Sequence, residues 1–213
     1  NIDAVMIAAL IKSGRFSEGY VSAEQLQSLR EFYRHRASLE DQLKAIKRQT
    51  STLLTVVFPE LEQVMSDPFN VTGLALLEKY PTARHYDYAS PERILKTFRG
   101  IKGNNFNEAK ANRLLSLARE SIYSGIAKEA RAVSIRTNVE HIRLLNKQIE
   151  HIDAAVVELF DGQEAPKSEQ AQIRELIDNL RTIPGVGDRT ILTLLAECGD
   201  LNRFHSPKAL TGY

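Results

Sequence analysis

The stretch Ile135–Val156, IRTNVEHIRLLNKQIEHIDAAV, decides the fold. Ile135, Ile142, Ile149 and Val156 recur every seven residues, and Leu145, Ile152 and Leu159 each follow one of the last three at a spacing of three. That spacing lines these side chains along one narrow stripe of an α-helix, and a narrow apolar stripe needs a partner surface to bury it. Asn138 is the polar exception on the stripe. A matching pattern lies upstream. Leu29, Phe32, Leu39, Leu43, Ile46 and Leu53 keep the alternating three-and-four spacing, with Arg36 and Thr50 at equivalent positions. With Ser22 as an N-cap, this predicts one long helix over about residues 23–57. The two stripes are expected to meet in an antiparallel hairpin, in a homo-oligomeric coiled coil, or in both; two helices of an ordinary bundle would carry the same pattern.

Between the stripes, turn signals stand at Pro59, Asp67-Pro68, Tyr80-Pro81, Ser90-Pro91 and Gly100 to Asn105, with short helical patterns separating them. Ser90-Pro91-Glu92-Arg93 has the form of an N-cap with proline at the first helical position. From Asn107 to Ile122, Ala111, Leu114, Leu115 and Ala118 share one face, so the segment reads as a small helical insert. Ala4–Ile11 is apolar nearly all round, as a buried helix or strand would be, and Gly162–Ser168 is the clearest linker. No alternating run is long enough to establish a sheet.

The chain has 213 residues, 43% of them hydrophobic, enough to bury a core. Lys plus Arg number 28 against 27 acidic residues, so contact with a polyanion would have to come from local patches. A single cysteine, Cys198, cannot close an internal disulfide, and no Cys/His cluster has zinc-ligand spacing. With no apolar run near the roughly 20 residues that span a bilayer and no secretory leader, a cytoplasmic protein without membrane contact is expected.

The sharpest local motif is Leu180-Arg181-Thr182-Ile183-Pro184-Gly185-Val186-Gly187-Asp188-Arg189-Thr190, with Ile173, Leu176 and Ile177 before it and Ile191, Leu192, Leu194 and Leu195 after it. It has the pattern of a helix-hairpin-helix. Gly185 and Gly187 would permit a tight turn and close backbone approach, and the second helix would start with unpaired N–H groups and a positive dipole end suited to phosphate. Arg189 and Thr190 would add side-chain donors. Such contacts hold a nucleic-acid backbone without reading bases. A purely structural glycine-turn hairpin is the alternative.

Other candidates carry less. Asp3, taken alone, is a helix N-cap, because a two-metal site needs several converging carboxylates. His35, His85, His141, His151 and His205 show no ligand spacing, and Cys198 sits on an apolar helix face. Arg131, Arg136 and Arg143, with Lys44, Lys47 and Arg48, would form either a phosphate groove or simply solvated helix faces.

Taken together, these segments resemble the DEDD-type insertion-sequence transposases of the insertion-sequence one-ten class, in which a guide RNA directs recombination. Asn1-Ile2-Asp3-Ala4 with Ile7-Ala8 is similar to the end of that family's Lys-x-Asp-x-x-Asp-Ala-x-x-Ile-Ala motif. Phe58-Pro59-Glu60-Leu61, Leu76–Thr82, Lys110-Ala111 and Ala118-Arg119 resemble its middle region, and Leu180–Gly187, Gly199-Asp200 and Arg203-Phe204 the opening of its C-terminal domain. The resemblance implies a RuvC-like domain with four acidic residues holding Mg²⁺, among them Asp3 as catalytic residue and metal ligand. It also implies a coiled-coil middle used in assembly, a nucleophilic serine, and DNA and an element-encoded guide RNA as partners. The remaining acidic residues would precede Asn1 and the serine would follow Tyr213, so a fragment inactive by itself is expected.

The expected fold is therefore mainly α: a remnant of the RuvC-like α/β domain at 1–20, a first coiled-coil helix in 21–57, a helical insert at 58–127, a second coiled-coil helix at 128–161, and the start of a C-terminal domain with a helix-hairpin-helix at 162–213. DNA contact is expected at Gly185, Val186, Gly187, Arg189 and Thr190. The expected function is DNA strand cleavage and rejoining in transposition, by a homo-oligomer in the bacterial cytoplasm that associates with the nucleoid during recombination. A non-enzymatic coiled-coil nucleic-acid-binding and oligomerisation module is the rival reading, and a helix-hairpin-helix repair nuclease a more distant one.

Overall fold

In a computed structural model, the structure describes residues 24–161, 175–199, 201 and 204–212. These residues form helices and short 3₁₀ turns, with no strand among them, in agreement with a mainly α chain. Residues 1–20, with Asp3 and the expected RuvC-like remnant, and the linker 162–168 lie outside the described residues. The chain divides into two compact units, one of residues 35–155 and one of residues 1–34 with 156–213.

The unit of residues 35–155 is built on two long helices, α1 (Glu24–Val57) and α5 (Lys128–Asp161), which carry the two heptad stripes. The apolar stripes are inward: Leu39, Ile135, Ile142, Leu145 and Ile152 are all buried. The polar exceptions on the two stripes find each other. Asn138 Nδ2 donates to Thr50 Oγ1 at 3.1 Å, and the Thr50 hydroxyl donates to the Ile46 carbonyl at 2.8 Å. Arg36 Nε and Nη2 donate to the two carboxylate oxygens of Asp153 at 2.6 and 3.3 Å, while Nη1 reaches Glu40 at 2.7 Å. Position 36 thus meets 153 and position 50 meets 138, so the helices run antiparallel. A buried amide without a partner would cost about 1–3 kcal/mol, which is why the polar positions fix this register. The two stripes pack on each other within one chain, with Leu43, Ile46, Leu53 and Ile149 half-buried.

Between α1 and α5 lie a 3₁₀ turn at Pro59–Gln63, α2 (Val71–Lys79), a second 3₁₀ turn at Ala83–Tyr86, α3 (Pro91–Thr97) and α4 (Glu108–Glu120). Each α-helix of the insert starts on a side-chain cap: Asn70 Oδ1 accepts from Gly73 N at 2.8 Å, Ser90 Oγ from Arg93 N at 3.3 Å, and Asn107 Oδ1 from Lys110 N at 3.0 Å. Pro91 occupies the start of α3 as its sequence predicts. Ala111, Leu114, Leu115 and Ala118 form the buried face of α4. They share one core with Phe58, Leu61, Leu74, Leu77, Tyr86 and Ile94 of the insert, and with Leu54, Val57, Ile135, Val139 and Ile142 of the long helices. Gly73 is demanded by packing, because a Cβ there would lie 2.3 Å from the Pro68 carbonyl oxygen.

In the other unit, residues 175–181 are helical and lead through a turn to α7 (Asp188–Cys198), taking the helical residues 175–181 as α6; α8 (Pro207–Thr211) follows. Ile191, Leu195, Ala196 and Cys198 are buried, as are Leu26 and Leu29 at the start of α1.

Candidate nucleic-acid interface

The hairpin between α6 and α7 is set by one turn. Val186 N donates to the Ile183 carbonyl at 3.2 Å, enclosing Pro184 and Gly185, and Gly185 has φ +84°. Proline second and a positive-φ glycine third make a type II turn, which a β-carbon at Gly185 would strain. The preceding helix closes with the Thr182 hydroxyl on the Asn179 carbonyl at 2.7 Å.

Gly187 plays a different part from the one its sequence position predicts. It is the N-cap of α7, with φ −91° and ψ 163°, a conformation open to any residue, and an added β-carbon would meet nothing within 4 Å. The turn itself does not require it. As a cap without a side chain it donates no hydrogen-bond acceptor to α7, while its carbonyl accepts from Ile191 N at 3.1 Å. The first-turn N–H groups of Asp188, Arg189 and Thr190 have no acceptor in the helix's own ladder, as at any helix start. Gly185, Gly187 and Thr190 are exposed and Val186 is half-buried. The structure thus brings the sequence-predicted residues Gly185, Val186, Gly187, Arg189 and Thr190 together on one turn and the first turn of α7.

Sequence reading missed what holds the far end of α7. Arg30 Nε and Nη2 donate to the carbonyls of Ala196 and Glu197 at 2.7 and 3.0 Å, and Arg34 grips the Glu197 carboxylate at 3.2 and 3.0 Å. The guanidinium of Arg30 satisfies carbonyls that the helix end leaves open, where positive charge is favoured. Beside Arg34, the Glu197 carboxyl is held below its usual range. Partners so far apart in the chain leave no local signal.

The basic set on the long helices is largely occupied. Arg136 donates to the Glu78 carbonyl at 3.0 Å, Arg143 to the Glu78 carboxylate at 2.8 Å, Arg131 to the Ile126 carbonyl at 2.8 Å, and Lys44 pairs with Asp41 at 3.1 Å. Lys47 lies over the Phe69 ring, 5.8 Å from its centre. These contacts favour the reading of structural helix faces over a phosphate groove.

Cys198 is buried, His35, His141, His151 and His205 are exposed, and His85 Nδ1 lies 2.8 Å from the Thr82 hydroxyl. Among the described residues no group of three or more His, Cys, Asp or Glu could hold a metal ion, and no helix is long and apolar enough to cross a membrane.

Residues 177–213 match the family model described as Transposase IS116/IS110/IS902 family. The matched segment contains the hairpin turn, α7 and α8. No curated protein and no solved structure matches the chain. The match supports an insertion-sequence transposase of the IS110 class, and with it a role in transposition and a DNA partner.

Proposed function

We propose that this chain belongs to a DEDD-type transposase that cleaves and rejoins DNA strands at insertion-sequence ends, and that the turn Gly185–Gly187 with the start of α7 is a sequence-independent contact to the DNA backbone. One observation carries the contact: Gly187 is a glycine that its own fold does not need. It has an ordinary conformation and open space around it, so a missing side chain there matters to something approaching from outside. Arg189 and Thr190, in the first turn of α7, are the side chains that would join the backbone N–H groups on a phosphate.

Asp3 is proposed as a metal-binding carboxylate of the catalytic domain, with Mg²⁺ as its ion. Among the described residues no group of three or more His, Cys, Asp or Glu could hold that ion. The guide RNA and the homo-oligomer belong to the same proposal. An oligomer would cover the half-buried stripe positions Leu43, Ile46, Leu53 and Ile149, use other faces, or exchange α1 and α5 between copies.

The test is a fluorescence titration of unrelated DNA duplexes at two salt concentrations with Arg189→Ala. Loss of one phosphate contact should weaken binding alike on every duplex and lower the salt slope by about one. Unchanged affinity and slope, with helical circular dichroism retained, would leave the hairpin a structural connection and move any DNA contact to the basic faces of the long helices.

A further inference from the structure

We infer that the loop between α3 and α4, with the cavity behind it, binds a single strand of nucleic acid by taking one unpaired base into the cavity and the flanking phosphates on its basic rim. This goes beyond the hairpin contact, lies in the unit of residues 35–155, and stands or falls separately from it.

The rim is a local excess of charge in a nearly neutral chain. Lys96, Arg99, Lys102 and Lys110 fall within 15 consecutive residues that hold one carboxylate, Glu108. All four are exposed, and none of them is hydrogen-bonded or ion-paired to another described residue through its side chain. This separates them from Arg131, Arg136, Arg143 and Lys44, whose side chains bond at the surface to other residues of the chain. Consecutive turns shape the loop: Phe98 N bonds to the Leu95 carbonyl, Arg99 N to Lys96 and Ile101 N to Phe98, and Gly100 and Gly103 take φ +89° and +73°. The Asn104 amide pins it by donating to the Ile101 carbonyl at 2.7 Å.

Lys110 and the loop residues next to Lys102 line a cavity of about 250 Å³, whose wall joins polar Asp67, Asn104 and Asn105 to apolar Val64, Met65 and Phe106. The wall carries both donors and acceptors. The Asn104 amide nitrogen is used, leaving its carbonyl oxygen; Asn105 offers both ends; Asp67 gives one oxygen to Phe69 N at 2.9 Å and keeps the other. A wall with both polar and apolar members suits a flat ligand with a hydrogen-bonding edge, and the Asp67 carboxylate disfavours a phosphate inside the cavity. It suits the hydrogen-bonding edge of a nucleobase, with phosphates left outside on Lys102 and Lys110. A duplex has those edges already paired, so the chemistry selects a single strand.

The experiment measures anisotropy of a labelled oligouridylate, an oligothymidylate and a duplex with the whole chain at two salt concentrations. The unaltered chain should bind at least one single strand, and the two single-stranded probes show which sugar is preferred. Lys102→Ala with Lys110→Ala should weaken that binding and lower its salt slope by roughly 1.4, at about 0.7 per phosphate contact. Asn105→Ala should weaken it without changing the slope. Both variants should leave duplex binding as it was, whereas Arg189→Ala weakens duplex binding and spares the single strand. No single-strand binding, an unchanged affinity and slope in the double variant with its helicity intact, or equal losses on duplex and single strand would overturn the inference.

Discussion

Asn138 and Thr50 show how one hydrogen bond sets an alignment. Thr50 is buried and also bonds to its own helix, so it keeps a partner if Asn138 is replaced, whereas the Asn138 amide loses its acceptor if Thr50 is replaced. Thr50→Val should therefore cost about 1–3 kcal/mol, Asn138→Leu less, and the pair together less than Thr50→Val alone. Denaturant unfolding of the four proteins in the cycle would measure this, and equal single costs with simple additivity would refute the coupling. At Gly73 the constraint is steric. Alanine there would drive its β-carbon into the Pro68 carbonyl, and a cost of about 1–3 kcal/mol is expected by the same measurement.

At the scale of elements, the long helices were legible and their partnership was not. A seven-residue period marks α1 and α5 because it is the period of a buried helical stripe, yet the same stripe fits a second copy or its own chain. The choice rests on which polar positions meet, Arg36 with Asp153 and Asn138 with Thr50, and Asp153 lies off the apolar stripe that the periodicity reveals. The insert's caps at Ser90 and its α4 face were readable for the same local reasons. The Arg30 and Arg34 grip on α7 was unreadable, because it joins positions far apart in the chain. The register makes a sharp prediction. Ile142 is fully buried while Leu144, two residues on, is 52% exposed. Ile142→Asp should abolish cooperative unfolding of the unit of residues 35–155, and Leu144→Asp should leave its midpoint nearly unchanged. Loss of structure in both variants would mean the exposed face is misassigned.

For the whole molecule, acid should act in one direction. Burial and the nearby Arg136 lower His85, so its neutral form is favoured in the fold; stability from this group is present above its ordinary value of 6.5 and is lost as pH falls below it. Glu78 is lowered chiefly by Arg143 and Glu197 chiefly by Arg34. For Glu60, burial pushes upward but the Ser121 hydroxyl and the backbone N–H groups outweigh it. Each depressed carboxylate adds stability above the ordinary 4.5 that is lost as pH falls through its lower folded value. Thermal midpoints should thus begin to drop below about pH 6.5 and fall further below about 4.5, and His85→Gln should remove the first step. A midpoint that rises on acidification would contradict these signs.

The central claim, that the hairpin is shaped for a DNA backbone and not only for its own fold, is tested most directly by comparing two valine substitutions in one turn. Gly185→Val must strain a positive-φ position, so it should lower both the unfolding midpoint and the affinity for DNA duplexes. Gly187→Val meets open space in an ordinary conformation, so the midpoint should hold while duplex affinity falls at every sequence tested. Full duplex affinity in folded Gly187→Val protein would contradict this, because a hairpin glycine that the fold does not require would then prove unneeded by the DNA as well.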